Sequence, residues 1–279
     1  MMERHLKLSA LGLLLFFAAW ETLARSGIAH ALLVPPPSRV PEALMTEIDA
    51  GIWFKMIGRS FVHYAFGLLA GSLLGIAMGT TAAIWPRLAA ATEWVVRLLR
   101  PIPAIAWIPF AIIWFGVTET AASFIIAITV FWLNFFASYA AVRSVDKDLL
   151  EMARAFGQGD LWPRLAKVLL PAASPGILAG FRSGLGQGWM SVVAAEMFGI
   201  PGVGLRMMEA SGLLATHVVV LYMLTIAALY GLSDSCFVLL QKGCWHGSVD
   251  FTHRPRRRFR PRTRGRAGAG RHRFKGTER

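Results

Sequence analysis

The sequence predicts an all-α, polytopic integral membrane protein with about six transmembrane helices, and three observations carry that prediction. Of its 279 residues 55% are hydrophobic and only 16% charged, and the mean hydropathy is +0.52, outside the usual range for a soluble domain of this size. Apolar runs of roughly 18 or more residues, enough to cross a hydrocarbon core of about 30 Å, recur along the first 240 positions. The net charge of +13 is concentrated at one end: residues 241–279 hold 13 of the 29 basic and 2 of the 16 acidic side chains, which leaves residues 1–240 almost neutral.

The first span is expected over residues 6–23, after Arg4 and Lys7. Residues 10–19 have the character of a signal-peptide core, but no small-x-small site follows and Trp20-Glu21 interrupts, so the segment reads as an uncleaved span. Val34-Pro35-Pro36-Pro37-Ser38 favours extended backbone, and residues 41–55 suit a short amphipathic helix at the membrane surface. Further spans are expected over 61–85, a proline-interrupted 89–115, 120–142, 176–198 and 214–240. A polar loop, 143–174, separates the fourth from the fifth, and a turn at Pro201-Gly202-Val203-Gly204 leads by way of Glu209 and His217 into the sixth. Residues 1–240 thus form a transmembrane domain, and 241–279 a basic tail whose Arg, Gly and Pro content predicts disorder.

Basic residues near the helix ends set the orientation. Arg4, Lys7, Arg87, Arg97, Arg143, Lys147, Arg154, Arg164 and Lys167 fall on the side of the termini and the 143–174 loop, against Arg25, Arg39, Lys55, Arg59 and Arg206 opposite, which predicts cytoplasmic termini. The tail charge suits attraction to anionic membrane lipid. No folded nucleic-acid module accompanies it, and a shifted reading frame would equally account for its change of composition. Cys236 and Cys244 make no disulfide framework, and with His246 and His253 they fit no zinc spacing.

Glycine recurs every four residues in two spans, at Gly67, Gly71, Gly75 and Gly79 and at Gly176, Gly180, Gly184 and Gly188. That spacing lines one helix face and lets another backbone approach closely. Two readings stay open: tight static packing, or smooth faces that slide during a transport cycle. Polar residues inside the spans are few. Asn134, Gln187, Ser191 and Glu196 are candidates for a polar pathway; Glu196 equally suits a helix end at the interface, and Asn134 a helix-to-helix hydrogen bond.

The 143–174 loop carries the functional signal. Good helix formers fill 148–156, Gly157 can close that helix, and Leu170-Pro171 opens the next span. A helix this short is marginal alone and calls for a partner to dock against. The run Glu151-Met152-Ala153-Arg154-Ala155-Phe156-Gly157 with Leu170-Pro171 resembles the EAA signature of binding-protein-dependent ABC importer permeases. The likeness covers residues 6–240, including Arg100-Pro101-Ile102-Pro103, Ile108-Pro109, Trp114-Phe115-Gly116 and Ala194-Ala195-Glu196, and is similar to the nitrate/sulfonate/taurine branch. Three departures stand out: Met152 replaces the first alanine, the interval from Gly157 to Leu170 is one residue longer, and the tail from Gly247 has no counterpart.

The resemblance implies that Glu151 to Gly157 form a cytoplasmic coupling helix gripped by an ABC ATPase dimer holding ATP and Mg²⁺. It also implies a second permease copy as a homodimer, a periplasmic or lipid-anchored substrate-binding protein, and residence in a bacterial inner membrane. No cofactor is expected in this chain, and no Gly-x-x-x-x-Gly-Lys-Ser/Thr phosphate loop occurs in it. An ion-coupled carrier or channel is the competing reading. An intramembrane hydrolase is disfavoured because neither Gly-x-Ser-x-Gly nor His-Glu-x-x-His occurs.

Overall fold

The structure, a computed structural model, describes residues 2–27, 33–155 and 161–244. Eleven α-helices follow in order among them: α1 Met2–Arg25, α2 Val40–Asp49, α3 Ile52–Ile84, α4 Pro86–Leu99, α5 Ile108–Phe115, α6 Glu119–Arg143, α7 Lys147–Ala155, α8 Leu161–Arg164, α9 Leu170–Glu196, α10 Val203–Gly212 and α11 Thr216–Cys244. Five helical segments are long and apolar enough to cross a bilayer, and the α4–α5 pair, bent by 92°, makes a sixth.

Four of the six expected spans fall on single helices, α1, α3, α6 and α11, with ends that shift for local reasons. The surface helix expected over 41–55 stops at Asp49, because Gly51 takes a left-handed conformation (φ 66°) and the chain restarts as α3 from Ile52. The third span is broken where Pro101 and Pro103 remove backbone donors, and a 3₁₀ turn, Ala104–Trp107, joins its halves. The fifth begins earlier than residue 176: α8, a π-helical turn at Leu165–Leu169 and α9 run on as one helix. A π turn holds one residue more than an α turn, and this one lies directly before Leu170-Pro171. Helix α10 replaces what reads in sequence as a simple connection.

Helix α6 is the hub. It starts on Thr118, whose hydroxyl accepts the Ala121 N–H, and one side of it receives the glycines of α3. A Cβ at Gly67 would lie 2.6 Å from Ile126 Cβ, one at Gly75 2.5 Å from the Phe131 carbonyl oxygen, and those at Gly71 and Gly79 would collide with the Ala127 and Phe135 carbonyls. Both numbers rise together, so α3 and α6 run parallel. On the other side a Cβ at Gly176 would strike Ala141, at Gly180 Ala137, and at Gly184 the Asn134 amide at 3.1 Å. Here one number falls as the other rises, so α9 runs antiparallel. Farther along α9 a Cβ at Gly188 would meet the Tyr64 ring of α3 at 2.9 Å, where Tyr64 stacks on Trp189 with centroids 4.3 Å apart above buried Leu68, Ile126, Val130 and Val192.

Parallel α3 and α6 impose a topological consequence. The chain leaves α3 and must travel back before entering α6, so residues 86–115 recross the membrane slab despite their break. Helix α5 packs with Ala121, Ala122 and Ile125 at the start of α6, whereas α4 lies by Phe131, Trp132 and Phe135 farther along it. Helix α7 stands at the end where α6 finishes, and α2 and α10 at the opposite end.

The α3 glycines face carbonyl oxygens that cannot rotate away, whereas Gly184 faces the end of an amide side chain. Gly71→Ala and Gly79→Ala should each therefore cost about 1–3 kcal/mol and Gly184→Ala less, a ranking to be read from unfolding titrations in mixed micelles. Equal loss at all three positions would contradict the register described.

Candidate functional site

Helix α7 follows Asp146, whose carboxylate accepts the Asp148 N–H at 3.0 Å and starts the helix. Glu151, Met152 and Ala155 are exposed while Ala153 is buried, and the helix rests on α8 and the π turn. Phe156 and Gly157 lie outside the described residues. Leu170 borders a cavity with Trp162, Leu73 and Trp85, and Pro171 is in the first turn of α9. The signature residues thus divide into an outward-facing group on α7 and an entry group built into α9.

The four polar candidates in the spans do not meet in one cavity. Gln187 is exposed on the outer side of α9, and Ser191 is buried and donates to the Gln187 carbonyl of its own helix at 3.0 Å. Asn134 is fully buried in the seam of α3, α6 and α9. Its amide donates to Ser72 Oγ at 3.3 Å and the Val130 carbonyl at 3.1 Å, while its Oδ1 is buried without a donor among the described residues.

Glu196 is also fully buried, at the last turn of α9. Its Oε2 accepts the Ser60 hydroxyl and the Gly204 N–H, each at 2.9 Å, and Oε1 lies 2.8 Å from His63 Nδ1. Ser60 Oγ accepts in turn from the Val203 N–H at 2.9 Å. Val203 and Gly204 are the first two residues of α10, whose N–H groups have no partner within the helix and carry its positive end. The carboxylate thereby caps α10 and ties it to α3 and α9. Pro201-Gly202-Val203-Gly204 is the cradle for it: a Cβ on Gly202 would collide with the carboxylate, and one on Gly204 would come 2.8 Å from Glu196 Cβ. Ser60 and His63 escape sequence reading, although two polar residues three apart on one face of an apolar helix are a signal for such a partner. His63 Nε2, buried and unpartnered among the described residues, fits a ring that donates through Nδ1.

At the same end of the bundle Glu47 of α2 is held by Arg206 of α10, through Nη2 at 2.6 Å and Nε at 3.2 Å, and by the Tyr222 hydroxyl of α11 at 2.8 Å. Burial pushes the Glu47 carboxyl up, but the Arg206 and Tyr222 hydrogen bonds and the Arg206 charge outweigh it and hold it below the usual value. The Glu47 hydrogen bond likewise raises the Arg206 guanidinium. Three helices outside the α3–α6–α9 core are thus clasped at one point.

Comparison with known proteins agrees with this architecture. The family model described as binding-protein-dependent transport system inner membrane component matches residues 71–243. The taurine transport system permease protein TauC of Escherichia coli is 32% identical over 89% of this chain and 93% of its own length. A permease protein of Bacillus subtilis named for aliphatic sulfonates transport, SsuC, is 32% identical over 86% and 88%. The bicarbonate transport system permease protein CmpB of Synechococcus elongatus is 29% identical over 83% and 86%. Among solved structures, the inward-facing methionine ABC transporter MetNI aligns with a TM-score of 0.52 over 71% of this chain and 98% of that one, at 21% identity, a likeness of fold.

Removing the Glu196 carboxylate leaves buried donors unpaired, so Glu196→Gln should destabilise the protein by about 1–3 kcal/mol. Exposed Gln187→Ala should stay within about 0.5 kcal/mol; both are measured by mixed-micelle unfolding. The Glu47 carboxyl is lowered in the folded state, so its contribution is present above the unfolded value and is lost as pH falls through the folded one. Wild type should therefore exceed Glu47→Gln in thermal midpoint near neutral pH, and the gap should close as pH drops below 4.5; a gap independent of pH would refute this assignment.

Proposed function

The chain belongs to the family of binding-protein-dependent transport system inner membrane components, and from that membership we propose that it forms half of the membrane pathway of an ATP-driven importer for a small anion such as an aliphatic sulfonate, taurine or nitrate. It is a multi-pass permease component of an inner membrane. A cytoplasmic ATPase dimer with ATP and Mg²⁺ supplies the energy, a second copy of this chain completes the pathway, and a binding protein delivers cargo on the far side. The termini face the cytoplasm, in keeping with the basic residues that cluster at the α7 end.

The observation that carries this reading is the placement of α7. It presents Glu151, Met152 and Ala155 outward and bears on α8 and the π turn, the foot of the continuous helix that ends in Glu196. Force applied to α7 passes along α9 to a carboxylate that holds α10. The ATPase end and the binding-protein end are therefore linked through one rod. Within the bundle, the α9 glycines meet the methyls of Ala137 and Ala141, whereas three of the α3 glycines meet carbonyls of α6. The α6–α9 seam is accordingly the one suited to slide, with α3 and α6 moving as a unit.

The test is reconstitution with a cognate ABC ATPase and substrate-binding protein. ATP-dependent uptake is expected, and uptake without any ATPase would favour the carrier reading. Because their side chains are exposed, Glu151→Lys with Met152→Asp should leave the stability of the isolated permease unchanged. The same pair should lower ATP-driven uptake roughly tenfold or more and weaken co-purification of the ATPase, as loss of hot-spot contacts predicts.

A further inference from the structure

A cavity of about 460 Å³ opens between α4 and α6, within the size range of small-molecule sites of about 300–1,000 Å³. It differs from the apolar spaces beside it by holding two guanidinium groups, Arg97 and Arg100, and one carboxylate, Glu93. Glu93 is already engaged, since Arg97 Nη2 donates to it at 3.1 Å. Arg100 lies with its guanidinium carbon 4.4 Å from the centroid of Phe136 and has no carboxylate partner among the described residues. The cavity therefore carries one uncompensated positive charge.

Phe136 lies seven residues before the end of α6 at Arg143, and both Arg97 and Arg100 are exposed, so an incoming ligand can reach their guanidinium groups. A guanidinium lying over a ring spends its face on the π system and keeps its N–H edges for a planar or tetrahedral oxyanion, which it binds in bidentate fashion. The adjoining space of about 360 Å³ shares Phe135 and Val96 with the cavity and is otherwise mostly apolar. It also contains Trp132, whose Nε1–H is buried without an acceptor among the described residues.

We propose that the α4–α6 cavity is an anion subsite on the transport path, in which Arg100, assisted by Arg97, receives the sulfonate or carboxylate head of the cargo while the apolar space beside it takes the aliphatic body. The inference rests on the importer reading and adds to it residues of this chain that meet the cargo. A lipid phosphate offers the same oxyanion chemistry, and the two sources are separable.

The permease–ATPase complex, without binding protein, is placed in phosphatidylcholine nanodiscs and titrated calorimetrically with taurine, hexanesulfonate, nitrate and bicarbonate. At least one of these should bind, and Arg100→Gln should weaken it roughly tenfold, as loss of a charged hydrogen-bond partner predicts. Arg100→Lys, which keeps the charge and loses the planar fork, should fall between the two and covers the case in which Arg100→Gln fails to fold. Binding by none of the four, binding unchanged in both variants, or binding abolished by added phosphatidylglycerol would each overturn the subsite, the last in favour of a lipid site. ATP-driven uptake by the wild-type complex is measured in parallel: its absence sinks the importer reading, whereas normal uptake beside unchanged Arg100 variants sinks only the subsite.

Discussion

Everything in this bundle depends on how closely α3 can approach α6. In hydrocarbon, lipid tails solvate an apolar side chain as well as another helix does, so helices associate through dispersion contacts at short range and through the polar groups they satisfy. Glycine at every fourth position of α3 brings its backbone against the carbonyls of Ala127, Phe131 and Phe135. Because that approach is parallel, the intervening chain has to recross the membrane, and the break between α4 and α5 follows from fitting a return path beside a close-packed pair. The prolines at 101 and 103 permit the bend; the α3–α6 contact makes a return obligatory.

The same accounting explains Glu196. A carboxylate cannot sit unused in a low-dielectric interior, and this one is surrounded by the Ser60 hydroxyl, the His63 ring and the Gly204 N–H of α10. Ser60 and His63 belong to α3 and the N–H to α10, so this one side chain of α9 fixes the relation of the three helices. Nearby, the Glu47–Arg206–Tyr222 clasp adds α2 and α11. The far end of α9 shows no such anchor among the described residues: it passes into the π turn and α8, on which α7 rests. A rod fixed polar-to-polar at one end and seated on a small helix at the other is suited to carry displacement between the two faces of a membrane.

What the sequence makes legible follows from where the information resides. Spans over α3, α6 and α11 declare themselves through uninterrupted apolar runs, and the glycine spacing of four marks the faces that meet α6. Helix α7 is visible from its helix formers and from the signature it resembles. The 92° bend, α10, and the early start of the α9 rod are not, since a bend angle is set by packing partners and a π turn reads like α-helix in composition. Glu196 illustrates the limit best. Its residue type and depth mark it as exceptional, but Ser60, His63 and Gly204 are distant in sequence or backbone donors, and only the fold brings them together.

The charged groups buried in or bordering the bundle divide by whether their partners are complete. Glu196 has hydrogen-bond partners on both oxygens, from hydroxyl, ring and backbone, and faces none of the larger cavities described above. Arg182 is likewise matched by Asp234, with bonds of 2.6 and 2.8 Å. Arg100 lies over the ring of Phe136 and has no carboxylate partner among the described residues. Saturated groups hold a structure together because any displacement costs hydrogen bonds that hydrocarbon cannot replace. An unsaturated one beside a cavity keeps hydrogen-bonding capacity that hydrocarbon cannot satisfy, and that asymmetry distinguishes the groups that brace this bundle from those that do not.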